Sequence, residues 1–148
     1  MLHVDILSNY KKHMKFNWKS KTALYIGRFQ PFHEGHKQMF LEGLKKYGQV
    51  SLLVMNSQGI NKKNPYSFLY VKKKIEKTLK KYKGKYIIIK VPVVDSVIYG
   101  RKVGYTIKKI KLSKKIESIS ATNIRKKLLN KWAIYSVQLD LYLKTIVI

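Results

Sequence analysis

The chain has 148 residues, 45% of them hydrophobic, and carries 32 Lys and Arg against 7 Asp and Glu, a formal charge of +25. A chain of this size hides roughly two thirds of its unfolded surface, so one domain with a genuine core is expected and the low-hydrophobicity disordered class is excluded. The lack of cysteine excludes disulfides, thiolate metal sites and a cysteine nucleophile, and no apolar run nears the roughly 20 residues of a spanning helix or the apolar core of a signal peptide, which makes a cytoplasmic protein without a membrane partner the expectation.

Residues 1–20 read as an N-terminal extension in which Val4, Leu7, Tyr10 and Met14 fall at helical spacing. TALYI (22–26) has the β-branched and aromatic content of a buried strand ending at Gly27. Phe40, Leu44 and Tyr47 then mark one face of a helix that stops near Gly48, and Val50 to Met55 form a second continuously apolar strand. The polar loop NSQGINKKNP leads to Ser67 as an N-cap, and Phe68, Val71, Ile75, Leu79 and Tyr82 trace a second helix closed by Gly84. YIIIKV (86–91) is a third strand and Ser96 to Tyr99 a short fourth one.

Strands that are apolar on both faces and alternate with helices predict a parallel sheet covered on both sides, a doubly wound α/β domain over residues 21–131. The stretch from Val103 to Glu117 fits strand and helix equally. In ESISATNIRKKLL, Ser120 sits at an N-cap position between Ile119 and Ile124 of a hydrophobic staple, with Ala121, Ile124 and Leu128 facing the core. The apolar tail 132–148 alternates like a strand at Val137, Leu139, Leu141 and Leu143, while Trp132, Leu139, Leu143 and Ile146 suit a helix. It packs on its own domain or makes a homo-oligomer interface.

GRFQPFHEGH (27–36) places two of the chain's 4 histidines around a glycine, directly after the first strand. Ligands of doubly wound sheets bind beyond the carboxyl ends of the strands, where this segment lies. A metal site would need further ligands, and no carboxylate or third histidine stands at a partner spacing, so no metal-binding residue is assigned. A nucleophilic triad lacks its Gly-x-Ser-x-Gly turn. A phosphate cradle needs only what is present: imidazoles, helix-start amides, and glycines that admit a ligand against the backbone at Gly35. Lys62 and Lys63 are further phosphate candidates in a loop.

GRFQPFHEGH and ISATNIR (119–125) together resemble the nucleotidyltransferase superfamily that carries an HxGH signature after strand one and ISxTxxR near the C-terminus. The longer first form is similar to that of the NMN adenylyltransferase-like branch. The resemblance implies a single-domain Rossmann-like fold of the HUP type and transfer of a nucleoside monophosphate, AMP from ATP, to a phosphate-bearing small-molecule acceptor, with magnesium carried by the triphosphate. It makes His33, His36 and Arg125 catalytic. It assigns nucleotide binding to Gly27, Arg28, Phe29, Gln30 and Gly35 in the first signature, and to Ile119, Ser120 and Thr122 in the second. Tyr66 and Arg101 are candidate acceptor contacts. NPYSF (64–68) matches the branch's NPF-led motif in part, and no tryptophan lies between Pro92 and Ser120. The second expectation is therefore cytidylyl transfer to a polyol or amino-alcohol phosphate. A third, of another class, is a nucleic-acid-binding protein with a relic site, but no basic stripe with a recognisable motif appears in the sequence, so nucleic acid is not the expected partner.

Overall fold

The computed structural model describes residues 15–55, 60–98, 100–101, 104 and 106–146, and beyond Trp132 only the side chain of Tyr135. The helical stripe from Val4 to Met14 lies outside the described residues, as do Tyr99 and Val103. Three parallel strands, β1 (Ala23–Gly27), β2 (Val50–Met55) and β3 (Tyr86–Val91), lie side by side in that order. Tyr25 is level with Leu52, and Leu52 with Ile88. Helix α1 (Glu34–Tyr47) joins β1 to β2, and α2 (Phe68–Thr78) with a short 3₁₀ turn (Lys80–Tyr82) joins β2 to β3.

The local chemistry explains the boundaries. Gly48 takes the left-handed conformation, φ 75°, and returns its N–H to the Leu44 carbonyl at 2.8 Å, which ends α1. Ser67 accepts from the Tyr70 N–H at 3.2 Å and starts α2 as its sequence position predicts. Ser120 does the same for the last helix, accepting from the Asn123 N–H at 3.1 Å.

Two crossovers in one direction put both helices on one face of the sheet. There Phe40 of α1 and Val71, Ile75 and Leu79 at the end of α2 close over Val50, Leu52 and Val54, all nearly inaccessible to water. Gly43 permits this approach: a Cβ there would stand 2.9 Å from the Ala23 Cβ and 3.3 Å from a Val50 methyl. A side chain at that position is excluded by packing, a role that the periodicity of α1 does not reveal.

The described residues thus contain the first half of the doubly wound pattern. Cover on both faces was expected; Leu24 and Ile89 on the second face instead remain 59% and 37% exposed. The fourth strand expected at Ser96–Tyr99 does not form over 96–98, where Val97 and Ile98 are exposed. Val97, Ile98 and Tyr99 between Asp95 and Gly100 are too short a run to hold an edge strand by burial. The ambiguous segment after Val103 is irregular from 106 to 113, then makes one helical turn, α3 (Lys114–Glu117).

Helix α4 (Ala121–Ile146) runs unbroken through the start of the apolar tail, which settles the strand-or-helix ambiguity there in favour of helix. Ala121 and Ile124 are partly buried as expected, whereas Leu128 is 38% exposed. Among the described residues no helix is long and apolar enough to cross a membrane.

Candidate active site

The chain leaves β1 at Gly27 and turns through Phe29, whose φ of 51° is rare for a residue with a side chain. This conformation drops the Phe29 ring into the core, edge-on to Tyr25 at 5.1 Å and to His36 at 5.0 Å. Gly27 is required by that ring, since a Cβ on it would meet Phe29 atoms at 2.9 Å. Phe29 and Gly27 therefore shape the loop.

Both histidines are tied to the start of α1. His33 is the N-cap: its Nδ1 accepts from the Gly35 N–H at 3.1 Å, while the His33 N–H donates to the His36 Nδ1 at 3.3 Å. This is a capping box built from imidazoles. The rings stack with centroids 3.7 Å apart. Gly35 was expected to leave room for a ligand, but that space is filled. A Cβ on it would lie 3.0 Å from the His33 ring and 3.6 Å from the Ile116 carbonyl oxygen.

The protonation state follows from the same contacts. A neutral imidazole that accepts at Nδ1 carries its proton at Nε2. Burial pushes His33 below the usual histidine range, and burial together with the neighbouring His33 pushes His36 down to about 3. At neutral pH the pair therefore offers N–H donors without positive charge. Tyr25, packed near His36, is pushed up to about 12 by burial and stays protonated.

A group that resists protonation in the folded state binds fewer protons there than in the unfolded chain, so stability falls as pH drops. For His36 the loss is expected to begin near the ordinary value of 6.5 and to continue toward 3. Denaturant midpoints measured across this interval should drop for the native chain and drop less for His36→Gln. Equal slopes for the two proteins would refute this protonation state.

Two signatures that stand far apart in sequence line one cavity of about 670 Å³. Arg28, Phe29, Gln30 and His36 come from the first, and Thr122 and Arg125 from the second. Lys62 and Lys63 close a third side. Ala121, Lys126 and Leu129 complete the wall and were not foreseen, although they continue the face of α4 set by Thr122 and Arg125 at helical spacing. Among the described residues no carboxylate lines the cavity, and no cluster of three or more His, Asp or Glu is arranged to hold a metal ion. The charge is supplied by Arg28, Lys62, Lys63, Arg125 and Lys126, so a polyanion is the matching ligand.

Arg125 is fixed before any ligand arrives. One Nη donates to the Gln30 carbonyl and the other to the Thr122 hydroxyl at 3.2 Å. The Gln30 side chain, expected at the nucleotide, spends its amide on the backbone of Tyr66: Nε2 donates to the carbonyl at 2.9 Å and Oε1 accepts from the N–H at 3.0 Å. Gln30 is accordingly a bracket that joins the first loop to the entrance of α2.

The remaining candidates are placed as follows. His33 stacks behind His36 and does not itself line the cavity. Ser120 caps α4 through its oxygen, which leaves the hydroxyl proton free, and Ile119 is partly buried beside it. Tyr66 stacks on Tyr70 with centroids 4.5 Å apart. Arg101 is exposed and does not line the cavity, and no strand forms over 96–98 to position it.

The family model described as cytidylyltransferase-like matches residues 24–71, from β1 through the first turn of α2. No curated protein matches the chain. With the parallel strand-helix-strand frame and both signatures on one cavity, the match over residues 24–71 supports a likeness to the cytidylyltransferase-like nucleotidyltransferases.

Proposed function

We propose that the chain moves a nucleoside monophosphate, AMP from ATP, onto the phosphate of a small-molecule acceptor and releases pyrophosphate. The observation that carries this reading is the basic cavity on which His36, Thr122 and Arg125 converge. The adenylyl preference rests on the GRFQPF opening, which resembles the NMN adenylyltransferase-like branch.

An acceptor phosphate oxygen attacks the α-phosphorus in line, and the bond from that phosphorus to the bridging oxygen breaks as pyrophosphate leaves. No side-chain nucleophile is needed, so the protein's task is placement and charge stabilisation. The neutral His36 imidazole donates through Nε2 to the α-phosphate as it becomes five-coordinate, and His33 stacked behind it holds that ring in place. The Ala121 and Thr122 amides have no helical partner at the start of α4 and receive the β- and γ-phosphates, with Arg125 beside them. A magnesium ion brought with the triphosphate would be held by phosphate oxygens and water, since among the described residues the cavity wall holds no carboxylate.

The test is pyrophosphate release with ATP and CTP against NMN, glycerol phosphate and choline phosphate. ATP with a nucleotide-like acceptor is the expected pair. Turnover with CTP and an alcohol phosphate alone would overturn the adenylyl preference, and no turnover with any pair would overturn the enzymatic reading.

A further inference from the structure

Parallel topology sends the beginnings of all three strands to the edge of the sheet opposite the cavity, and each of the segments feeding them carries lysines. Lys15, Lys19 and Lys21 precede β1, and Lys45 and Lys46 precede β2. Lys80, Lys81, Lys83 and Lys85 precede β3. All but Lys85 are exposed, and residues 15–22, 44–49 and 79–86 contain no Asp or Glu. Nearby Glu76 already faces Lys72 at 3.9 Å.

Backbone hydrogen bonds hold these segments side by side. The Gln49 side chain takes the Asn17 N–H at 2.9 Å and gives its own N–H groups to the Asn17 and Ser20 carbonyls, and the Val50 N–H donates to the Lys85 carbonyl at 3.0 Å. Lys108 joins them from the irregular segment. Its side chain meets that of Lys46, and the hydrogen bond between them together with like-charge repulsion holds Lys108 below the usual lysine range.

Aromatic rings are interleaved with this charge. Trp18 sits at the tip of the turn, 78% exposed and edge-on to Phe16 at 5.4 Å. Lys46 lies 5.5 Å from the centre of the Tyr47 ring and Lys81 5.3 Å from that of Tyr82. An exposed indole and half-buried tyrosine rings among lysines suit a chain of phosphates that also carries flat bases; an anionic membrane or sulfated sugar would use only the lysines.

We propose that this edge of the sheet, formed by the lysine-rich entries to β1, β2 and β3 around Trp18, binds single-stranded nucleic acid independently of the nucleotide cavity. The stripe is absent from the linear sequence because its parts are about thirty residues apart until the sheet assembles them.

The experiment is fluorescence anisotropy of a labelled single-stranded oligonucleotide of about 12 nucleotides, within the usual site range. If about six lysines engage phosphates, log K should fall with log salt at a slope near −4. The variant Lys45→Gln, Lys46→Gln, Lys80→Gln, Lys81→Gln should lose at least about tenfold in affinity, since phosphate contacts dominate binding, with ATP binding unchanged. Trp18→Ala should weaken binding by about tenfold, the worth of one stacked base. The proposal is overturned if the lysine variant binds like the parent, if saturating ATP displaces the oligonucleotide, or if Trp18→Ala binds unchanged. It is likewise overturned if phosphatidylserine vesicles or heparin bind as tightly as the oligonucleotide and respond equally to both variants.

Discussion

Replacing His36 with alanine is expected to lower pyrophosphate release by about 100- to 1000-fold, the usual cost of removing one preorganised donor from a developing oxyanion. The geometry makes this residue the sharper probe of the pair, because His36 lines the cavity while His33 stacks behind it. The substitution also removes half of the capping box, a loss of about 1 kcal/mol that should show as a modest drop in melting temperature. The two effects separate cleanly. His36→Gln keeps a polar side chain at the cap yet cannot present an Nε2 donor in the same place, so it should recover stability without recovering turnover. Native turnover in His36→Ala would remove the imidazoles from the mechanism.

Arg125→Lys should reduce turnover by about 100-fold, the lower bound for loss of a preorganised donor. A guanidinium can hold the Gln30 carbonyl with one nitrogen, the Thr122 hydroxyl with the other, and still offer N–H groups to a phosphate. An ammonium is a single point of charge and cannot satisfy all three directions. The loss should fall on kcat more than on KM if Arg125 acts mainly on the departing pyrophosphate. Steady-state kinetics with varied ATP read this directly. A lysine variant with native kcat would show that charge alone suffices and that the bracket through Gln30 is ornamental to catalysis.

The elements were legible in the sequence wherever one local signal governed the outcome. Continuous apolar runs marked β1, β2 and β3, and Ser67 and Ser120 marked helix starts because a hydroxyl there has an amide to accept from. The fourth strand at Ser96–Tyr99 failed because a short apolar run has no strand character without a neighbour to pair with. The site was legible as two motifs and illegible as a surface. Nothing in the sequence says that Gln30 turns its amide to Tyr66, that the His33 ring fills the space above Gly35, or that Lys126 follows Arg125 into the wall. Each depends on segments brought together from distant parts of the chain. The basic edge is the same case on a larger scale.

Gly43 touches no candidate ligand group, yet it fixes how closely the middle of α1 rests on β1 and β2. A helix of 14 residues is a rod about 21 Å long, and the imidazoles ride on its leading end. A methyl group wedged beneath its far half would act like a shim under a lever, swinging both rings relative to Arg125, which is anchored on another helix. The alignment of the two signatures across the cavity is therefore set partly by the absence of one carbon atom on a distant part of the helix, and under the proposed function crowding at that point is expected to register in kcat as well as in the melting curve.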